Sequence, residues 1–291
     1  WIERIVVTIA HCAPSPSRRH RVFTQAPYCV LMPADAHSYF EVPFAALAHR
    51  GGFSPGVPPE LENTLRAFTA ARALGFRYLE TDVHATRDGH LIAFHDDRLD
   101  RVTDATGLIA ELPYAEVSRA RIAGSEPIPT LSDLLDALPD ARFNIDIKHP
   151  GAITPLVETL RSHGAFDRVC VGSFTTSSIR AFRQATAGRV ATAASPSEVA
   201  GFALPGVRRW WPLAADAFQM PMLVPGSRNR LLTPGLIAAA HARGARVHVW
   251  TINDRATMER LLGLGVDGIV SDDLVMLKDA VTRRGLWEDE S

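Results

Sequence analysis

Eight short apolar runs recur along the chain from Phe44 onward, and helix-length amphipathic segments fill the gaps between them. The runs are FAALAH (44–49), YLETDV (78–83), FNIDIK (143–148), RVCVGSF (168–174), RVATAA (189–194), AFQMPM (217–222), RVHVWTIN (246–253) and GVDGIVSD (265–272). Strand-length and helix-length patterns in alternation specify a parallel α/β fold, because parallel neighbours need a long crossover and a helix usually supplies it. LRAFTAARALG (65–75) and LTPGLIAAAHARG (232–244) each close on glycine, the residue favoured at a left-handed helix end. Eight such units in roughly 250 residues predict a TIM (β/α)8 barrel.

The rest of the chain is framed around that barrel. Residues 1–43 carry a basic cluster (Arg18, Arg19, His20, Arg21), several prolines and no sustained periodicity. They are expected to form an N-terminal extension, partly irregular or packed on the barrel's outside, rather than a basic arm for a partner. Residues 44–283 form the barrel domain and 284–291 a C-terminal tail. Lys+Arg (31) and Asp+Glu (32) nearly cancel, leaving a net charge of -1 over 291 residues. That balance recommends neither nucleic acid nor an anionic membrane as partner, so any anion must be recognised by a local site. Cys12, Cys29 and Cys170 fit neither a disulfide framework nor a zinc spacing. IVVTIA (5–10) is short for a signal-peptide core and no apolar run approaches a membrane span, so a cytoplasmic location is expected.

One apolar run is left over. LIAFHD (91–96) follows YLETDV after only a short turn, so it must return antiparallel as a hairpin. Centring the hairpin on Asp88-Gly89 pairs Arg87 with His90 and Asp82 with His95. His84 and His90, near the hairpin tip, are expected to face solvent.

Acids and histidines then gather where a barrel keeps its chemistry, at the carboxyl ends of the strands. The first strand ends in His49-Arg50-Gly51-Gly52, with glycines that let backbone approach a ligand. Alternation puts Glu80 and Asp82 on one strand face, and Asn144, Asp146 and Lys148 on one face of the third strand. Three converging carboxylates make a hard oxygen site suited to Mg²⁺ or Ca²⁺. Against Arg50 and Lys148 they leave a net negative charge; a divalent cation reverses it and matches a phosphodiester. His49 and His95 suit proton transfer to and from the oxygens of a P–O bond.

AHRGG (48–52), ENT (62–64), ETDVHATRDGHLIAFHDD (80–97), DIK (146–148), GSF (172–174), VHVWTIN (247–253) and GVDGIVSDD (265–273) together resemble the glycerophosphodiester phosphodiesterase family, over about 48 to 280. The resemblance implies a phospholipase-C-like TIM barrel that hydrolyses glycerophosphodiesters to sn-glycerol 3-phosphate and an alcohol with a divalent metal cation. It implies catalytic roles for His49 and His95 and metal ligation by Glu80 and Asp82. Asp146 matches the third acid, where the family more often carries Glu. Arg50 and Lys148 match phosphate-facing cations. Arg98 to Pro129 matches a small insertion at the mouth. Substrate-binding candidates are Glu62, Phe174, Gln219 and Trp250. Glu62 and Asn63 alternatively only start the next helix, with Asn63 as its N-cap, and Trp250 alternatively fills the barrel's top layer. Three readings remain for the whole: this hydrolase; a phospholipase-D-like enzyme acting on lysophospholipid or sphingomyelin, which the lack of an anchoring helix disfavours; or a non-catalytic barrel that binds phosphoesters.

Overall fold

Each of the eight runs becomes a parallel strand of one ring. The structure, a computed structural model, describes residues 37–288 except 205, 209, 225, 227 and 229, all within the compact unit Met32–Ser291. Most of the expected extension, residues 1–36, lies outside the described residues. In chain order the strands are β1 (Ala45–Phe53), β2 (Tyr78–Ala85), β3 (Leu91–Ala93), β4 (Arg121–Ile122), β5 (Glu126–Pro127), β6 (Arg142–Ile147), β7 (Val169–Gly172), β8 (Ala191–Thr192), β9 (Ala217–Met220), β10 (Arg246–Val249) and β11 (Gly268–Asp273). The helices are α1 (Leu65–Ala73), α2 (Tyr114–Val117), α3 (Leu131–Ala137), α4 (Ile153–Ser162), α5 (Thr176–Ala185), α6 (Pro196–Ala203), α7 (Pro234–His241), α8 (Arg255–Leu264) and α9 (Leu274–Arg283).

The parallel strands run in the order β8-β7-β6-β2-β1-β11-β10-β9. A bridge between Ala193 and Ala217 closes the ring, with the Ala194 N–H donating to the Ala217 carbonyl at 2.7 Å. The alternation read from the sequence holds. Ala46, Ala48, Leu79, Val83, Phe143 and Ile145 pack outward with Phe68, Leu134, Leu156 and Phe182 of the helices. Leu47, Tyr78, Cys170, Ala191, Ala217 and Val270 cluster on the inner side. α1 ends as its sequence predicts: Gly75 takes φ +90°, its N–H bonds to the Arg72 carbonyl, and the Phe76 N–H reaches back to Ala71.

Two expectations need correction. The end of the expected extension does not lie on the outside. Tyr39 and Phe40 are buried in the interior cluster, and Tyr78 Oη donates to the Tyr39 carbonyl at 2.8 Å. They plug the ring where strand residues alone leave room, because several interior positions there are only alanine. The hairpin register is also shifted by one. Val83 pairs with Ala93 and Ala85 with Leu91, so Asp82 stands opposite Phe94, not His95. The Thr86 N–H bonds to the His90 carbonyl around a three-residue loop closed by Gly89 at φ +86°, where two residues were expected. A one-residue slip reverses every facing. Phe94 accordingly turns into a satellite core with Ile92, Leu99, Ile109, Val117, Ile122 and Ile128, which organises the expected insertion.

Two features of the ring generate tests. β1 leaves the barrel through three successive positive-φ residues, Arg50 (φ +51°), Gly51 (φ +85°) and Gly52 (φ +63°). A Cβ on Gly52 would sit 2.5 Å from Leu274 Cδ2 and 2.9 Å from the Asp272 carbonyl oxygen. Gly52→Ala combines left-handed strain with overpacking and is expected to cost about 2–4 kcal/mol, measured by denaturant unfolding. Inside the ring, burial pushes His248 down to about 4, so it is neutral. Its unfolded pKa is higher, near 6.5, so the unfolded chain takes the proton first and stability falls as pH drops from about 6.5 toward 4. Between pH 7 and pH 5 wild type is expected to lose about 2 kcal/mol more stability than His248→Gln, read from denaturant midpoints at both pH values.

Candidate active site

The carboxyl ends of the strands open into a cavity of about 580 Å³. His49, Arg50, Glu80, Asp82, His95, Asp146, Lys148, Phe174, Gln219 and Trp250 all line it. Of the site residues expected from the sequence, only Glu62 does not.

Strand register brings the acids and one histidine together. His49 of β1 is level with Glu80 of β2, and Asp82 of β2 is level with Asp146 of β6. His49 Nε2 lies 3.8 Å from Glu80 Oε2, and that same oxygen accepts the Arg50 backbone N–H at 3.1 Å. The left-handed turn at Arg50 thus aims a backbone donor at a buried carboxylate. His95 arrives by another route than the hairpin pairing expected. β3 ends at Ala93, and past that end the chain turns His95 into the cavity that Asp82 and Asp146 also line.

The acids do not close on one point. Lys148 Nζ lies 2.8 Å from Asp82 Oδ1 and 2.7 Å from Asp146 Oδ2, while Arg50 Nε lies 3.2 Å from Asp82 Oδ2. Among the described residues, no three His, Cys, Asp or Glu side chains converge closely enough to hold a metal ion. Charge nevertheless remains uneven. Burial would raise Asp82, but Lys148 and Arg50 hold it below the usual range. Glu80 is pushed up to about 7, by burial and then by Asp82 beside it. Asp146 is also raised by its burial, which Lys148 only partly offsets.

Both histidines are held through Nδ1 by carboxylates that the sequence reading passed over. His49 Nδ1 bonds Asp272 Oδ1 at 2.5 Å, and Asn253 Nδ2 donates to Asp272 Oδ2 at 2.6 Å. His95 Nδ1 bonds Asp96 Oδ1 at 2.6 Å, and Arg101 clamps that same carboxylate. Burial alone would lower His49; Glu80, then the bond to Asp272, more than reverse this and raise it. A carboxylate on Nδ1 fixes the tautomer and leaves Nε2 for the reacting atoms. The signal for Asp272 was available. In a closed barrel the last strand adjoins the first, and Asp272 shares the inward parity of Gly268 and Val270. Asp96 and Arg101 had no such signal, because they lie in irregular chain.

The remaining candidates divide. Glu62 links Arg50 (3.3 Å) to Arg101 (2.5 Å), tying the first strand's turn to the insertion. Asn63 is not a helix cap. Thr64 caps α1, accepting the Ala67 N–H, while Asn63 is buried and joins Thr81 (2.8 Å) to Asp82 (3.4 Å). Gly51 and Gly52 serve close packing rather than a ligand: a Cβ on Gly51 would fall 2.7 Å from Ala67 Cβ. His84 is buried against the His95 carbonyl, contrary to its expected exposure, whereas His90 is exposed and stacks on Tyr114. Gln219 donates to Asn144 Oδ1 (2.6 Å) and to Nδ1 of neutral His248 (3.3 Å), which fixes its carboxamide beneath the cavity. Trp250 lines the cleft, its ring 5.7 Å from that of Phe174.

Residues 49–276 match the Glycerophosphoryl diester phosphodiesterase family. A probable glycerophosphodiester phosphodiesterase 2 of Mycobacterium tuberculosis is 39% identical over 249 residues, covering 84% of this chain and 92% of that protein. A glycerophosphodiester phosphodiesterase of Caldanaerobacter subterraneus is 31% identical over 255 residues, covering 82% and 98%. An Oleispira antarctica phosphodiesterase, solved in complex with the product sn-glycerol-3-phosphate, superposes with a TM-score of 0.70 at 26% identity, over 84% of this chain and 99% of that one. A barrel from Silicibacter pomeroyi shares the fold, with a TM-score of 0.71 at 23% identity over 87% and 100% of the two chains. With an extended match to the family, close curated relatives and a histidine–carboxylate cleft at the strand ends, the chain belongs to the glycerophosphoryl diester phosphodiesterase family and is a phosphoric diester hydrolase.

Proposed function

We propose that the enzyme hydrolyses glycerophosphodiesters to sn-glycerol 3-phosphate and an alcohol, using His49 and His95 as its acid–base pair and a divalent cation as cofactor. The observation that carries this reading is the pair of imidazoles facing one cavity, each held at Nδ1 by a carboxylate, with Glu80 and Asp82 beside them.

Cleaving a phosphodiester forms one P–O bond to the attacking oxygen and breaks the P–O bond to the leaving alcohol. One imidazole takes the attacking hydroxyl's proton at Nε2; the other gives a proton to the leaving oxygen. Asp272 and Asp96 stabilise the imidazolium each histidine becomes. Arg50 and Lys148, already desolvated at the cavity wall, face the phosphoryl oxygens and stabilise their developing charge. Gln219, Phe174 and Trp250 bound the space for the rest of the substrate.

In chemistry the all-carboxylate donor set suits a hard divalent cation, Mg²⁺ or Ca²⁺, which would take the place Lys148 now holds against Asp82 and Asp146. Glu80 sits buried beside Asp82 and is raised to about 7, so negative charge at this spot is under-compensated. Glu80, Asp82 and Asp146 would hold the cation, with Lys148 free to turn from the acids to the phosphate. When bound, the cation draws charge from the phosphoryl oxygens.

Two measurements test this. His49→Ala and His95→Ala are each expected to lower kcat at least about 100-fold on glycerophosphocholine while substrate still binds; full turnover in either removes that residue from the pair. Chelator is expected to abolish hydrolysis and Mg²⁺ or Ca²⁺ to restore it. Added cation is also expected to raise the Tm of wild type but not of Glu80→Gln, and an unmoved wild-type Tm would rule out ligation here.

A further inference from the structure

We infer that Arg101 is a positioning residue for the hydrolysis: its one guanidinium holds both His95 and Arg50 in working orientation, through Asp96 and Glu62. The inference rests on the reading of the site as a phosphodiesterase with His95 in its acid–base pair, and adds to it a residue from outside the cavity.

Neither Arg101 nor the two acids line the cavity. Their hydrogen bonds nevertheless run unbroken from one of its functional groups to another. His95 Nδ1 bonds Asp96 Oδ1 at 2.6 Å; Arg101 Nη2 donates to that same oxygen at 3.2 Å, and its Nε to Oδ2 at 2.5 Å. On the other side Arg101 Nη2 donates to Glu62 Oε1 at 2.5 Å and Nη1 to Oε2 at 3.2 Å. Arg50 Nη1 donates to Glu62 Oε1 at 3.3 Å. In each acid, therefore, the oxygen that holds the working group is one that Arg101 Nη2 also holds. A planar fork offers a pair of donors on each of two edges, so it grips two carboxylates in a fixed mutual geometry; an ammonium cannot.

The sharing decides how much of each acid's charge its working group feels. Left with Arg50 alone, Glu62 would hold that guanidinium as a full ion pair and compete for it with the substrate's phosphate. Arg101 stands closer to Glu62 and takes up that charge, so Arg50 stays placed yet available. On the other branch, burial would raise Asp96, but hydrogen bonds from Arg101 and then His95 hold it down at about 2. Asp96 thus stays an acceptor for Nδ1, which leaves Nε2 of His95 for the reacting atoms.

The rival reading is a brace that only fastens the insertion to the barrel. The insertion has other fastenings. Leu99, two residues from Arg101, is buried with Phe94, Ile109, Ile122 and Ile128. The Ala93 N–H bonds to the Pro129 carbonyl and the Ile109 N–H to the Asp97 carbonyl. The Arg101 side chain is 48% exposed, where an ion pair adds little to stability. An arginine that stabilises so little, yet grips the two acids that hold His95 and Arg50, is placed for orientation.

The test measures kcat and KM on glycerophosphocholine at saturating Mg²⁺ or Ca²⁺. Arg101→Ala is expected to lower kcat at least about tenfold, with KM and Tm close to wild type, because both partners act on charge that develops in the transition state. Arg101→Lys keeps the charge but not the fork, and its kcat is expected to fall between the two. Free guanidinium, well below denaturing concentration, is expected to restore part of the kcat that Arg101→Ala loses. In an Asp96→Asn/Glu62→Gln background both branches are already cut, and there Arg101→Ala is expected to cost no more than about twofold. Wild-type kcat in Arg101→Ala overturns the inference and leaves the hydrolase standing. So does a loss that guanidinium leaves untouched and that persists in full in that background. A kcat loss matched by a fall in Tm makes Arg101 the brace and equally overturns it. Full turnover in His95→Ala removes the acid–base reading, and an inert wild type removes the phosphodiesterase reading; this inference falls with either.

Discussion

The site depends on holding three carboxylates in the low-dielectric end of the barrel on two neighbouring strands. Glu80, Asp82 and Asp146 lie on adjacent strands in matched register, and both Glu80 and Asp82 are less than a tenth exposed. Left alone, such a group would neutralise itself by taking up protons. Arg50 and Lys148 prevent that for Asp82 but not for Glu80, and only in part for Asp146, so the cavity keeps carboxylate charge that is poorly compensated. The groups around Glu80 answer this imbalance in part: a backbone N–H is aimed at it by the left-handed turn at Arg50, and the His49 imidazole lies alongside.

The period-two rule made much of this legible. Parity alone put Glu80 with Asp82, and Asn144 with Asp146 and Lys148, and the alternation of runs and helices defined the barrel. What parity could not give was anything fixed by irregular chain. Loop length sets hairpin register, and a three-residue loop closed by Gly89 reads much like a two-residue one in sequence. His95 reaches the cavity only because β3 stops short of it. Asp96 and Arg101 lie beyond that end, and Tyr39 and Phe40 precede the first strand, so no periodicity announced any of them.

Asp272 is a different omission, since the strand that carries it was recognised. Its role follows from strand order, which sets β11, last in the chain, against β1 and gives His49 a neighbour on each side: Glu80 from β2 and Asp272 from β11. A sheet that parted between β1 and β11 would leave His49 with one.

The bond between His49 and Asp272 spans 223 positions of chain. No shorter fragment emerging from synthesis can assemble it, and loop closure over such a span waits until the rest of the ring is in place. Orientation of the His49 imidazole is therefore a late property of this polypeptide: incomplete chains lack the Asp272 carboxylate that fixes it, and the contact forms only when the last stave has docked on the first.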